Sequence, residues 1–246
     1  MKLALAALGF INEDIRHNQR VIIDTLKANQ GRADLILFGE AFLQGFYGPT
    51  FDLAHDREIA LPVDHPVINE IREAAKKFHT AISFGFIERA GDDFYSTQLT
   101  IGPEGQVMDR FRRVSPGWKE KDAGPSYREG EDFHAFTFLG VKMATALCGD
   151  LWYDENLDKI RALQPDLLLW PVYTDYPYRD WNTSIKYDYA DRANKACDRV
   201  AYVNSYCLDK AEENEIAKGG AAFFNKGEIE GEIPSGNEGV LLAEIV

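Results

Sequence analysis

Short apolar runs alternate along the chain with stretches whose apolar residues recur at helical spacing. Residues 3–9 and 35–38 are apolar runs of strand length, and residues 14–29 between them place apolar side chains three and four positions apart. A strand, a helix and a second strand in this order are typical of an α/β protein.

The helix predicted at residues 14–29 has an apolar and a polar side. Asn18 and Gln19 belong to the polar side and are predicted to face solvent. Asn12 or Asp14 is placed to cap the first turn. The helix is therefore predicted to be amphipathic.

The same alternation continues to the end of the chain. A second helix is predicted at residues 66–79, where Pro66 suits the first turn. The three strands between residues 81 and 114 are joined by short Gly/Asp turns, which predict antiparallel hairpins, and the irregular stretch 115–132 is long enough to be functional or mobile. The remaining predictions are strands at 81–88, 95–101, 107–114, 133–138, 141–147, 167–170 and 201–206, helices at 155–163 and 181–199, and a glycine-rich β region ending with 240–246.

Length and charge narrow the class of protein. At about 150 residues per domain, with wide scatter, the 246 residues suit one large α/β domain, predicted over residues 1–246. The formal net charge of −13 repels phosphate backbones and anionic lipid surfaces, so no nucleic-acid partner is predicted. No apolar run approaches the roughly 20 residues of a membrane-spanning helix, so no membrane contact is predicted either.

Cysteine usage and motifs point away from cofactors. The three cysteines have no clustered spacing, which indicates neither a disulfide framework nor a CxxC metal site and favours a reducing, cytoplasmic compartment. The sequence has no HxxxH, HxH, GxGxxG or GxxxxGK pattern. Neither a metal nor an organic cofactor is predicted.

A carboxylate stands at the end of one apolar strand. Glu40 follows the strand predicted at 35–38, and open α/β sheets bind ligands at the carboxyl ends of their strands. Apolar surroundings would raise its pKa toward the range of a general base. The alternative is a structural glutamate that interacts with the dipole at a helix N-terminus.

A thiol ends another apolar strand in the same way. Cys148 and Gly149 follow the strand predicted at 141–147, and a glycine directly after the thiol allows a tight turn with exposed backbone N–H groups. A following helix N-terminus would lower the pKa of the thiol. The alternative, a structurally inert buried cysteine, is the interpretation for Cys197 and Cys207.

Between these two residues lies a basic cluster at 111–121. Its Arg113 and Lys119 are candidates for a cation that favours a thiolate and stabilises a developing oxyanion. The alternative is a solvated charge run beside a turn. None of the histidines has a spacing that makes it a partner for Cys148, so the base of a thiol enzyme would be a carboxylate.

The order of these residues resembles the nitrilase, or carbon–nitrogen hydrolase, superfamily, whose triad is Glu, Lys and Cys. Here a glutamate closes a strand near residue 40, a basic residue closes one near 113, and a Cys-x-Asp sequence closes one near 148. The resemblance runs from residue 3 to about residue 246. It also includes three short motifs, Gly45-Phe46, Trp170-Pro171 and Val203-Asn204.

The resemblance implies a four-layer αββα sandwich, with Cys148 as nucleophile, Glu40 as base and a thioester intermediate. This sequence has Arg113 where the family has lysine, so either Arg113 or Lys119 supplies the cation. Glu120 matches a second glutamate that many members use to position the substrate and the basic residue.

An aromatic segment from Trp170 to Asn182 follows a predicted strand. The resemblance implies that this segment borders the substrate pocket, so Trp170 and Tyr173 are predicted to bind substrate. Trp152, four residues after Cys148, is predicted to bind it as well. The same residue types suit a dimer contact. The resemblance also implies a homodimer or a larger homo-oligomer.

The leading hypothesis is a thiol-dependent hydrolase of a small amide, carbamoyl amine or nitrile that acts through a Cys148 thioester. An N-acyltransferase that uses the same thioester is one alternative. A catalytically silent member that binds a ligand or a partner protein is another, because arginine replaces the family's lysine.

Overall fold

The computed structural model describes residues 1–210 and 216–245. Helices α1 to α6 of this part of the chain are Ile15–Ala28, Leu53–Ile59, Pro66–Phe78, Asp154–Leu163, Tyr178–Asp180 and Lys186–Asn194. A 3-10 turn, Cys148–Trp152, precedes α4, and a π-helical turn, Trp181–Ile185, joins α5 to α6. The strands β1 to β14 are Lys2–Ala7, Gly9–Phe10, Leu35–Phe38, Ala81–Ala90, Asp93–Ile101, Val107–Arg112, Ala135–Phe138, Val141–Thr145, Leu167–Val172, Arg199–Asn204, Tyr206–Cys207, Ala221–Asn225, Glu228–Ile233 and Gly239–Glu244.

Most of these strands form two sheets. In the described residues the first sheet has the order β14-β1-β3-β4-β5-β6 and the second has the order β13-β12-β10-β9-β8-β7. The central pairs of both sheets are parallel, whereas β4, β5 and β6 are joined by antiparallel hairpins, as the turns between them predicted. The carboxyl ends of β3 and β8 therefore lie in different sheets.

The sheets pack face to face and helices cover both outer faces. Helices α1 and α3 pack on the first sheet, and α4 and α6 pack on the second. Leu35 and Leu37 of β3 face the other sheet, whereas Ile36 and Phe38 face the helices. Because both faces of β3 are covered, the strand is continuously apolar. The layers form the predicted αββα sandwich.

Helix α1 shows how tertiary contacts change a prediction. Asp14 is its N-cap and accepts a hydrogen bond from the backbone N–H of His17. The prediction that Asn18 and Gln19 face solvent is wrong, because both are buried. Their amide groups donate to backbone carbonyl groups of neighbouring segments, such as Gln19 Nε2 to Val67 O at 3.0 Å, which offsets the cost of burial.

The last predicted helix is also displaced. The prediction placed it at residues 181–199, but helical structure begins at Tyr178, directly after Pro177, and ends at Asn194. Cys197 lies in the following connection, where its Sγ donates to Pro165 O. Ala196 and Cys197 in this connection are buried, so they continued the apolar pattern of the helix past its true end.

Helix α2 has no counterpart among the predicted elements. It spans one short stretch of mostly polar sequence and is capped by the Asp52 carboxylate. Asp56 is fully buried in it and accepts hydrogen bonds from Tyr127 and from the backbone N–H groups of Thr50 and Phe51. The helix is therefore fixed by contacts with a distant loop. No helix in the described ranges is long and apolar enough to cross a membrane.

Candidate active site

Glu40 lies where the first sheet contacts the second. It follows β3 and Gly39, its side chain is fully buried, and its backbone N–H donates to Val172 O in the second sheet. A Cβ on Gly39 would lie 2.4 Å from Ser205 Oγ, so only glycine fits there. Ser96 Oγ donates to Glu40 Oε1 at 2.8 Å. The carboxylate is thus held rigidly in the interior.

Arg113 supplies the positive charge that Glu40 needs. It follows β6 and is 4% exposed, and its Nη1 lies 3.0 Å from Glu40 Oε1 and 3.2 Å from Oε2. Its Nε donates to Ser115 Oγ and its Nη2 to Pro116 O. Burial opposes its charge, but Glu40 and other nearby acidic groups outweigh burial and hold the pKa of Arg113 above its usual value.

Cys148 begins the turn that follows β8. Its φ of 43° lies in the left-handed region, which is unusual for a residue with a side chain. Trp170 Nε1 donates to the Cys148 carbonyl oxygen at 2.9 Å, and Cys148 Sγ donates to Tyr173 O at 3.4 Å. Contacts from β9 and the residue that follows it therefore fix both the backbone and the thiol in this turn.

The thiol of Cys148 is protonated at neutral pH. Burial raises its pKa to about 12, the Glu40 carboxylate contributes to the rise, and Arg113 partly opposes it. A thiol with this pKa needs an adjacent base to become a nucleophile. The Glu40 carboxylate is near enough to raise the pKa of the thiol and is itself paired with Arg113, so it is the base available to accept the proton.

Asp150 connects the Cys148 turn to the segment that carries Arg113. Its carboxylate accepts hydrogen bonds from the backbone N–H groups of Leu147, Val114 and Ser115 at 2.6 to 3.1 Å. Burial raises the pKa of Asp150 to about 6, against the opposing effects of Arg113 and the backbone N–H groups. The Cys-x-Asp sequence was the available signal for this residue. No motif in the sequence indicated that Ser96 would contact Glu40.

Lys119 and Glu120 lie in the loop after Arg113 and have different surroundings. Lys119 Nζ donates to Glu129 at 3.0 Å and also to Tyr127 O. The side chain of Glu120 is exposed. The structure therefore brings Arg113, and not Lys119, against Glu40.

The three aromatic residues predicted to bind substrate lie at different depths. Trp170 is buried and contacts the backbone of Cys148, and Tyr173 stacks on Phe46 with ring centroids 4.5 Å apart. Trp152, at the end of the 3-10 turn, is 44% exposed and packs edge-on against Tyr189. Trp170 and Tyr173 therefore hold the Cys148 turn by hydrogen bonds, whereas Trp152 packs against Trp170 and is partly exposed.

The arrangement combines a thiol, a carboxylate and a fixed cation. These groups can form a covalent bond to carbon, move a proton and stabilise an oxyanion without a cofactor. Within residues 1–210 and 216–245, no group of three or more His, Cys, Asp or Glu side chains is placed to hold a metal ion.

The sequence matches the family described as carbon-nitrogen hydrolase over residues 2–246, and the chain belongs to this family. Similar characterised proteins include an (R)-stereoselective amidase of Pseudomonas sp, 22% identical over 69% of this chain, and an N-carbamoylputrescine amidase of Solanum tuberosum, 27% identical over 69%. A cyanide hydratase of Stereum hirsutum is 31% identical over 63% of this chain. The matches span 59%, 58% and 45% of those proteins, so the chain covers about half of each relative.

Solved structures share the fold. An amidase from Nesterenkonia sp. superposes with a TM-score of 0.78 and 20% sequence identity, covering 100% of this chain and 90% of that chain. A glutamine-dependent NAD+ synthetase from Acinetobacter baumannii superposes with a TM-score of 0.74 and 22% identity, covering 98% of this chain and 44% of the other. Both confirm the αββα architecture.

Proposed function

We propose that the protein is a thiol-dependent hydrolase of a small, non-peptide C–N bond. The observation that carries the proposal is the buried contact of Arg113 with Glu40 at 3.0 Å, close enough to Cys148 for both charged groups to shift the pKa of its thiol. Cys148 is the nucleophile, Glu40 the base, and Arg113 takes the position of the family's lysine. Membership of the carbon-nitrogen hydrolase family supports the reaction class.

Acylation begins with the neutral thiol. As Cys148 Sγ bonds to the substrate carbonyl carbon, Glu40 accepts the thiol proton and the carbonyl π electrons move to oxygen. Arg113 and the backbone N–H groups of the 148–152 turn are the positive groups available to this oxyanion. Burial strengthens their interaction with the oxyanion, because little water screens it.

Collapse of the tetrahedral intermediate re-forms the C=O bond and breaks the C–N bond. Glu40 donates its proton to the leaving nitrogen, so ammonia or an amine departs and a Cys148 thioester remains. Water then attacks the thioester while Glu40 takes its proton. The C–S bond breaks, the thiol is reprotonated, and a carboxylic acid is released.

The proposed substrates are small amides, carbamoyl amines and nitriles. The activities in the names of the similar proteins support this range. A nitrile would first add the Cys148 thiol to form a thioimidate, which takes up one water before ammonia leaves and the same thioester forms. Trp152, Trp170 and Tyr173 are proposed to contact the part of the substrate that is not cleaved, since Trp170 and Tyr173 hydrogen-bond Cys148 and Trp152 packs against Trp170. Glu120 is proposed to reach the substrate from the loop, which requires movement from its exposed position.

Replacement of the nucleophile tests the proposal. We expect Cys148→Ala to abolish release of ammonia or amine from a panel of amides, carbamoyl amines and nitriles. Cys197→Ala is the matched control and should retain wild-type turnover, because its buried thiol donates to Pro165 O and forms no bond to Glu40 or Arg113. Unchanged hydrolysis by the Cys148→Ala variant would refute the mechanism.

Covalent labelling provides a second measurement. The active-site cysteine of the Nesterenkonia amidase undergoes Michael addition of acrylamide in a Glu→Gln variant. We expect acrylamide to label Cys148 in Glu40→Gln protein and not Cys197, as mass spectrometry of tryptic peptides would show. Equal labelling of both cysteines, with no hydrolysis by the wild-type protein, would favour a silent binding protein.

The N-acyltransferase is separated from the hydrolase by competition for the thioester. If water is the natural acceptor, an added amine should convert only a small part of the thioester to a new amide, and free acid should remain the main product. Exclusive formation of the new amide would identify a transferase.

Three further properties are proposed alongside the activity. The shared apolar layer between the sheets supports one domain over residues 1–246. The unpaired state of Cys148, Cys197 and Cys207 supports a reducing, cytoplasmic compartment. Exposed Trp152 and Tyr187, near the site, support a homodimer, which sedimentation analysis would test.

A further inference from the structure

Gly149, the residue after the nucleophile, has no side chain, although its backbone conformation does not require glycine. Cys148 carries the strained left-handed φ, whereas Gly149 is outside the left-handed region. An alanine would therefore fit the backbone of residue 149 without strain. The reason for a glycine must lie in the space that a side chain would occupy.

That space is next to the guanidinium of Arg113. A Cβ on Gly149 would lie 2.6 Å from Arg113 Nη2 and 3.1 Å from Ser115 Oγ. Both distances are shorter than ordinary van der Waals contacts, and the first requires that something move. A Cβ on Gly117 would also approach Nη2, but at 3.4 Å, where ordinary contact begins.

A guanidinium at the end of a flexible side chain on the surface would move at little cost, but that of Arg113 is fixed. It is 4% exposed and donates to Glu40, Ser115 and Pro116. A displacement of Nη2 would shift the whole planar group and strain the bonds to Glu40, because the guanidinium is rigid. A buried carboxylate that loses part of its pairing is costly.

We infer that Gly149 is a positioning residue that makes room for an arginine in the triad. This inference rests on the proposed function and adds to it a size relation between residues 113 and 149. An arginine in this place requires a glycine after the nucleophile, whereas the slimmer ammonium group of a lysine leaves room for a side chain there. The two residues should therefore be coupled in mutation.

A double-mutant cycle tests the relation, with Gly149→Ala, Arg113→Lys and the double variant. Gly149→Ala alone should lower kcat by about 100-fold with little change in KM, since a displacement of about 1 Å in a catalytic group has this cost. Arg113→Lys should lose about tenfold on its own, because one ammonium replaces a fork of donors. The double variant should be about tenfold more active than Gly149→Ala.

Gly124→Ala is the matched control, because a Cβ on Gly124 meets no atom within 4 Å. It should leave kcat and Tm unchanged. Tm is measured for every variant, and Gly149→Ala should lower Tm more in the wild-type background, which carries Arg113, than in the Arg113→Lys background.

The outcomes separate this inference from the proposed function. Equal losses of kcat in both backgrounds would overturn the positioning role, even if Tm showed coupling. Failure of the wild-type protein to hydrolyse any substrate in the panel would refute the proposed function. The Tm values of the cycle would then be the only test of the steric relation between residues 113 and 149. Absence of coupling in Tm would, in that case, overturn the pairing.

Discussion

Arg113 and Lys119 are six positions apart in the same basic stretch, yet they have different surroundings. The backbone N–H of Arg113 still donates to Ser96 O of β5, so Arg113 keeps the side-chain alternation of β6. Its neighbour Arg112 points to the opposite face and binds Glu88. Lys119 lies beyond the last sheet hydrogen bond, and its ammonium binds Glu129 and a backbone carbonyl.

The difference shows which kind of position can hold a catalytic charge. A side chain at the end of a sheet ladder has its direction fixed by the strand, and here that direction leads to Glu40. A side chain in an irregular loop binds whatever group the loop places nearby. We therefore expect functional effects to be large at Arg113 and small at Lys119.

The largest expected effect is that of removing the charge of Arg113. Arg113→Met should lower kcat/KM by about 10³-fold, because it removes oxyanion stabilisation and leaves the Glu40 carboxylate buried without its partner. The free energy of unfolding should fall by about 3 kcal/mol. Burst-phase acylation and urea unfolding measure the two effects.

Lys119→Met is the matched comparison for this prediction. It should change kcat/KM by less than about threefold and the free energy of unfolding by about 1 kcal/mol, since it breaks one partly exposed ion pair. Similar catalytic losses in both variants would contradict the distinction between the two positions.

A smaller effect is expected at Asp150, which links the Arg113 segment to the Cys148 turn. Asp150→Asn should lower kcat by about tenfold, because an amide nitrogen would face backbone N–H groups that now donate to a carboxylate. Asp166→Asn is the control, since that exposed carboxylate also accepts a backbone hydrogen bond.

The pH dependence of stability gives a second readout for Asp150. Its pKa is raised to about 6 in the folded protein, so the folded state binds its proton more tightly than the unfolded state. The contribution of Asp150 to stability is present below about pH 4 and is lost as pH rises through 6. Relative to Asp150→Asn, the wild-type protein should gain about 2–3 kcal/mol between pH 7 and pH 4. A difference that does not vary with pH would contradict the raised pKa.

The smallest effect is expected at Glu120. Its exposed side chain makes Glu120→Gln neutral for stability, within about 0.5 kcal/mol. We expect KM to rise by about threefold with kcat unchanged, a small effect compared with that at Arg113, because Glu120 is proposed to contact the substrate from an exposed position. An unchanged KM would contradict the proposed contact of Glu120 with the substrate.

The elements that could be predicted are those with a local signature. The continuous apolar residues of β3 and the periodic apolar face of α1 follow from burial against the sheets. The prediction located the end of β3, which precedes Glu40, and placed the end of β8, which precedes Cys148, two residues beyond Thr145. Helix α2 lacked such a signature, because the bond from Tyr127 to Asp56 joins residues 71 positions apart.

By itself, the sequence determined the order of strands and helices and the placement of a carboxylate and a thiol at strand ends. It did so because hydrophobic periodicity and chain order are local properties. Only the tertiary structure decided between Arg113 and Lys119, since the bond from Arg113 to Glu40 spans 73 positions. The roles of Ser96, Asp150 and Gly149 were decided in the same way, because each depends on a distance across the fold that no local pattern encodes.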